Sequence, residues 1–456
     1  MKRSVIEEVF RAPAHALQKS VSAVKHTEQK LMREKPVRKI VRYWHTLGPG
    51  LTTGASDDDP SGIATYSQTG ARYGLQLLWL SAFTFPLMSI VQEMCARIGI
   101  VTGQGLAANI RKHYPRWVLY VCAGLLVAAN TFNIGADLGA MAQSVQLIFP
   151  NVSFLLLVSA FALGSILLQV FMPYARYAEF LKYLALVLFA YVFSAFAIHL
   201  DWKDIAIHSF IPTISWTKDQ IFLICGILGT TISPYLFFWQ TSQEVEQQIL
   251  QGKITLKLRR EQTSKKEIRD MRVDVWSGMF ISNAVMFFII ATCAGVLFTN
   301  GITNIQTAAD AARALQPFAG QYAFLLFAIG VIGVGILATP VLAGSASYAL
   351  SESFGWKQGL YRKLKEAYAF YGVIILSMLV GLGLNFIGLD PIKALIYAAV
   401  ANGIISPIIL FIIVHISGSK HIMGEWANGP VIKAFGWIVT AFMAVAGIAT
   451  IVAIIT

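Results

Sequence analysis

The sequence predicts an all-α polytopic membrane protein of about eleven transmembrane helices, built as a 5+5 inverted repeat in which helices 1 and 6 are unwound at their centres. Three observations carry this expectation. Of the 456 residues, 56% are hydrophobic and only 13% are charged, with a mean hydropathy of +0.62, a balance foreign to soluble domains of this size. Eleven apolar stretches are long enough, at about 20 residues each, to cross a hydrocarbon layer of about 30 Å. The first and the sixth carry a proline near the centre, after a glycine-rich first half.

The chain opens with a basic segment, residues 1–44, holding eleven Lys and Arg. It lacks the apolar run of a cleavable signal. Leu17, Val21, Val24 and Leu31 recur at helical spacing, so the segment reads either as an interfacial helix on anionic membrane lipids or as a tail without fixed structure. Residues 45–456 form the membrane domain. Stretches near 47–72, 75–101, 117–147, 153–173 and 179–199 make a first repeat of about 45–200. Those near 220–245, 275–299, 322–345, 367–386 and 391–415 make a second of about 220–415, and an extra helix follows at about 432–455.

Charge sets the expected orientation. With the N-terminus inside, the tail and the loops on its side hold 30 of the 36 Lys and Arg, the opposite loops hold 5, and Arg97 near the end of the second helix completes the set. This asymmetry places a multi-pass protein in the cell membrane with a cytoplasmic N-terminus and, after eleven crossings, an extracytoplasmic C-terminus. The net charge of +12 and the run "KLRREQTSKKEIRDMR" then belong to loops that face anionic lipid, and nucleic acid is not an expected partner. Nothing in the residues distinguishes a monomer from a homo-oligomer. Cys95, Cys122, Cys225 and Cys293 stand singly in apolar helices without ligand spacing, and read as core thiols. No nucleophile and base pair or cofactor motif marks an enzyme.

The first stretch contains "GASDDDPSG", residues 54–62, and the sixth reads "CGILGTTISPYLFFWQTSQE". Pro60 and Pro234 each remove a backbone donor and clash with the preceding turn, while Gly54, Gly62, Gly226 and Gly229 permit unwinding. Backbone freed at membrane depth is tolerated only where it lines a cavity or is buried in protein. Interruptions at matching places in two five-helix halves point to a transporter with its site at the midplane; two ordinary proline kinks are the plainer alternative. Three carboxylates inside a membrane segment favour the transporter, because such groups usually line ion or substrate pathways. Asp59, beside Pro60, is the candidate for direct cation contact. Successive helical residues point about 100° apart, which leaves Asp57 and Asp58 to a vestibule, a gate or a protonated spectator role.

The stretches "GPGLTTGASDDDPSGIATYSQTGARYGLQLLW", "ARIGIVTGQGLA" and "GILGTTISPYLF" resemble the Nramp family of proton-coupled divalent-metal transporters. The resemblance implies the LeuT-type inverted repeat, with a metal held where helices 1 and 6 unwind. It implies a site made of Asp59, Ser61, Gly62, Thr230 and Ser233, with Asp137 on helix 3 as a further candidate that faces the ion cavity or pairs within the bundle. The family's Asp-Pro-Gly-Asn is Asp59, Pro60, Ser61, Gly62 here, and its Ala-Thr-Ile-Met-Pro-His is Thr230, Thr231, Ile232, Ser233, Pro234, Tyr235. A helix 10 glutamine aligns with Ile405. The thioether ligand is therefore a hydroxyl, which removes a soft ligand suited to late transition metals. Mg²⁺ keeps several waters and needs only one or two carboxylates, so a wider oxygen-only site suits it first and Mn²⁺ second, as in the Nramp-related magnesium transporters that this pattern is similar to. The transported cation is the only ion implied, and no cofactor is expected.

Proton carriers of the family are also depleted. In "NTFNIGADLGAMAQ" the family aspartate aligns with Asn133 and its glutamate with Ala136, and Tyr235 replaces a histidine, so coupling to protons is expected to be weak or absent. Asn283 and Asn402 read as water ligands near the ion or as interhelical hydrogen-bonding groups. Glu93 and Arg97, four apart, are expected to pair. Two rival functions stand beside cation transport: carriage of an organic solute on the same fold, for which Ser61, Gly62 and Ser233 leave room but only Tyr66, Tyr235 and Trp239 supply aromatic groups near the breaks, and a non-transporting sensor on this scaffold.

Overall fold

The computed structural model describes residues 43, 46–172, 189–198 and 200–455. Residues 1–48 and 49–456 separate into two units. The basic segment expected at 1–44 lies, apart from Tyr43, outside the described residues.

Within the larger unit, α1 (Pro49–Asp57) and α2 (Pro60–Tyr73) form the first membrane element, followed by α3 (Trp79–Thr102), the short α4 (Leu106–His113), α5 (Arg116–Gln146) and α6 (Phe154–Phe171). The fifth expected span falls mostly outside the described residues; its end is α7 (Phe189–Ala197), and α8 (Trp202–Phe210) follows. The sixth element is α9 (Lys218–Thr231) with α10 (Pro234–Leu250). After α11 (Leu256–Glu261) come α12 (Lys265–Cys293), α13 (Ala323–Phe354), α14 (Tyr368–Leu384), α15 (Pro391–Ser417) and α16 (Pro430–Ile455). Among the described residues, nine helical stretches are long and apolar enough to cross a membrane, with α9 and α10 counted as one. The first expected span is absent from those nine because it is two short helices.

Helix ends follow local chemistry. Thr217 and Ser264 accept hydrogen bonds from the backbone of Gln220 and Glu267 at the starts of α9 and α12, as N-cap hydroxyls do. Asp390 does the same for Lys393 ahead of Pro391, the first residue of α15, where proline's missing N–H costs nothing. At the end of α3, Gly103 takes φ = 65°, a left-handed stop that glycine adopts without strain.

The interrupted helices sit in the interior, and α6, α14 and α16 turn most of their apolar side chains outward. Close approach of backbones explains the glycines of the first halves. A Cβ on Gly54 would lie 2.3 Å from the carbonyl oxygen of Gly278 on α12, and one on Gly229 would lie 2.0 Å from that of Ala399 on α15. Small residues allow such contacts between membrane helices, where dispersion rather than water exclusion holds the bundle. α1 is also held at its start. The Asp274 carboxylate on α12 accepts from the backbone N–H of Gly50 at 2.7 Å and of Leu51 at 3.0 Å, meeting both free donors and the positive end of the helix dipole.

Candidate ion site at the paired helix breaks

Asp59 is the N-cap of α2, with backbone φ −67° and ψ 172°. Its Oδ1 accepts from Ser61 Oγ at 2.6 Å and from the Gly62 N–H at 2.8 Å, and its Oδ2 accepts from Asn133 Nδ2 on α5 at 2.9 Å. Asp, Pro, Ser and Gly in this order therefore build a rigid turn, with proline at the first helical position and the cap carboxylate over the helix N-terminus. An N-cap alone explains Oδ1. It leaves Oδ2, which a second helix reaches with one donor, and the remaining lone pair of that oxygen for a further contact.

The sixth element breaks at Ile232 and Ser233. The Ser233 hydroxyl lies 2.5 Å from the Gly229 carbonyl and 2.7 Å from that of Thr230, to which it donates. Its hydrogen serves the freed carbonyls of α9, and only its oxygen lone pairs remain available to an ion. Ser406 on α15 donates to the Ile232 carbonyl at 2.6 Å. Two tyrosines tie the breaks together: Thr230 Oγ1 and the Tyr66 hydroxyl are 3.0 Å apart, and the Tyr235 hydroxyl donates to the Ser56 carbonyl at 2.8 Å.

The remaining carboxylates divide by direction. Asp137, one turn beyond Asn133 on α5, is fully buried, lies within electrostatic range of Asp59, and has both oxygens without a hydrogen-bond partner. Asp57 turns to α12, where Ser282 Oγ donates to its Oδ2 at 2.6 Å. Asp58 is buried with both oxygens unpartnered. Buried carboxylates without partners are costly while charged, so this arrangement calls either for protonation or for positive charge nearby. Among the described residues no three His, Cys, Asp or Glu side chains converge as a ready metal cage. Carboxylates would have to act with carbonyls, hydroxyls, an amide and water.

Two expected candidates stand differently. Asn283 bridges α12 to α3: its Oδ1 accepts from Thr84 at 3.0 Å, and its amide contacts the Met88 sulfur, the interhelical alternative read from its position. Asn402 on α15 is buried with Oδ1 unpartnered, and its carbonyl accepts from Ser406 at 2.8 Å. Ser282 and Ser406 escaped sequence reasoning, since a serine in an apolar helix gives no signal until its partner is known. Glu93 pairs with Arg97 as expected, and also accepts from Arg272 at 2.8 Å and from the Trp276 indole at 2.9 Å.

Sequence comparison matches residues 50–453 to the family described as natural resistance-associated macrophage protein-like, Nramp. The divalent metal cation transporter MntH of Caldanaerobacter subterraneus subsp. tengcongensis is 25% identical over 417 residues, 89% of this chain and 92% of the relative. Among solved structures, the manganese transporter of Eremococcus coleocola, in complex with an aromatic bis-isothiourea substituted compound, aligns with a TM-score of 0.68 at 17% identity, over 89% of this chain and 86% of that one. Mhp1, a nucleobase-cation-symport-1 family transporter in a closed conformation, aligns at 0.57 and 13% identity over 89% and 91% of the two chains. The chain shares its LeuT-type fold with these two solved structures, and the family match runs from the first residues of α1 almost to the end of α16. The chain belongs to the Nramp family, a family of membrane transporters and not of enzymes.

Proposed function

We propose that this protein is a secondary transporter of divalent metal cations, with Mg²⁺ as the first substrate and Mn²⁺ as the second, working by alternating access around Asp59. The observation that carries the reading is the Asp59 carboxylate, buried between two helix breaks and held by Ser61, Gly62 and Asn133, with a hydroxyl at position 233. Oxygen and amide groups around one carboxylate suit a hard cation that keeps part of its water. Divalent metals are what the names of the MntH and manganese-transporter relatives specify, which speaks against an organic solute or a sensor role.

Ser61, Gly62, Thr230 and Ser233 supply the turns and carbonyl ends around the ion, and Asp137 supplies a second charge on the α5 side. Asp57 and Asp58 act as electrostatic attractors on the α12 side. The Lys and Arg distribution supports a cytoplasmic N-terminus and an extracytoplasmic C-terminus. Coupling to protons is weak or absent, because Asn133, Ala136 and Tyr235 stand where the family resemblance implies titratable groups. The deciding experiment measures Mg²⁺, Mn²⁺ and Ca²⁺ flux into proteoliposomes with a lumenal pH reporter. Absence of protein-dependent Mg²⁺ flux alongside robust Mn²⁺ flux would remove the magnesium assignment.

A further inference from the structure

At the end of the bundle where α3, α10 and α13 stop, a cavity of about 310 Å³ lies among Gly103, Ser242, the end of α10 and residues 355–362. Two glutamates form part of its wall, and both are buried. Glu246 accepts from the Tyr348 hydroxyl at 2.6 Å and from the backbone N–H of Leu360 and Tyr361 at 2.8 and 3.2 Å. Glu352 accepts from the Ala108 N–H and from Gln358 Nε2, each at 2.9 Å. These carboxylates are engaged in joining helix ends to loops.

The cations on the wall are differently placed. Arg259 is fixed by the Gly103 carbonyl at 3.0 Å and the Ile254 carbonyl at 2.8 Å, Arg362 by that of Gln358 at 3.1 Å, and Arg111 by that of Glu352 at 3.3 Å. Each guanidinium is anchored on one side and keeps further N–H groups of its fork. With Lys357, the lining holds four cations against two carboxylates, so positive charge is in excess. A basic surface is ordinary on the inner face of a membrane protein. A polar recess whose arginines are held by backbone carbonyls is more than a solvated face, and the planar fork matches phosphate oxygens two at a time.

We propose that this cavity binds a phosphate group, which links the end of α10 to the loops after α3 and α13. The group comes from a soluble polyphosphate or from the headgroup of an anionic phospholipid, for which basic pockets at helix ends are suited. Because α10 begins at the Ser233 and Pro234 break, an anion anchoring its far end bears on how that helix moves. The proposal does not rest on which cation is carried.

Trp356 lines the same cavity and is 42% exposed, which provides a reporter. The full-length protein in uncharged detergent is titrated with inorganic pyrophosphate, followed by tryptophan emission and by calorimetry. The expected result is saturable binding, weakened about tenfold or more by Arg111→Gln with Arg362→Gln, since each loses charge-assisted hydrogen bonds. Trp356→Phe should abolish the emission change and keep the heat. If the double variant does not fold, Lys357→Gln, at an exposed position, should weaken binding in its place. Repeating the titration in nanodiscs of phosphatidylcholine with and without phosphatidylglycerol separates the sources: competition by phosphatidylglycerol assigns the site to lipid, and indifference assigns it to a soluble anion. The proposal is overturned by pyrophosphate heat that the variants leave unchanged. It is equally overturned if pyrophosphate gives no binding and the wild type and variant retain phosphatidylglycerol equally.

Discussion

Asn133 donates its side-chain N–H to Oδ2 of Asp59 at 2.9 Å, so the third membrane element holds the buried carboxylate at the break in the first. A hydrogen bond to a charged group is worth about 1.5–3 kcal/mol. Asn133→Leu, similar in size but without the amide, should weaken apparent Mg²⁺ affinity about tenfold or more by letting Oδ2 drift. Asp59→Ala should abolish transport while the protein still inserts. Near-normal uptake by a correctly inserted Asp59→Ala protein would mean that another carboxylate carries the ion.

Position 233 sets the second prediction. A methionine there would remove the hydroxyl that donates to the Gly229 and Thr230 carbonyls and would bring a soft sulfur to the break. Ser233→Met should move the ion ranking toward Mn²⁺ and Cd²⁺, read by competition against Mg²⁺ uptake. An unchanged ranking would show that this turn does not face the ion.

Proton coupling is the third. An asparagine cannot carry a proton, and a tyrosine, with a reference pKa of about 10, stays protonated at neutral pH. A Mg²⁺ gradient imposed on sealed proteoliposomes should leave lumenal pH unchanged. Acidification that requires both the protein and the cation would overturn the uncoupled reading and direct attention to Asp57, Asp58 and Asp137.

The hold of Asp274 on α1 supplies the fourth. Two backbone donors, Gly50 and Leu51, depend on this one carboxylate, and loss of a charged cap at a helix N-terminus costs about 1–2 kcal/mol. Asp274→Ala should lower the thermal midpoint in detergent by about 1–2 degrees. Gly54→Ala should do so more strongly, because its Cβ would fall 2.3 Å from the Gly278 carbonyl oxygen. A Gly54→Ala protein that melts like the wild type would show that α1 sits less tightly on α12 than the backbone distances indicate.

Membrane class, the nine long apolar stretches among the described residues and the two interruptions were legible in the sequence itself. Each rests on short-range physics: a run of apolar residues is stable in lipid whatever surrounds it, and proline ends a helix whatever it packs on. The capping turn of Asp59, Ser61 and Gly62 is local for the same reason. Which carboxylate faces which helix was not legible. Asp57 meets Ser282 across 225 positions of sequence, and Ser406 reaches the Ile232 carbonyl across 174, pairings that exist only when α12 and α15 are packed beside the breaks. Asn283 and Asn133 illustrate the limit, since both are asparagines in apolar helices. Rotation of α12 turns Asn283 toward Thr84, and rotation of α5 turns Asn133 toward Asp59. Hydropathy places a helix in the bilayer, but the angle about its axis is decided by the close packing of small residues between helices, and that angle selects the groups that meet at the site.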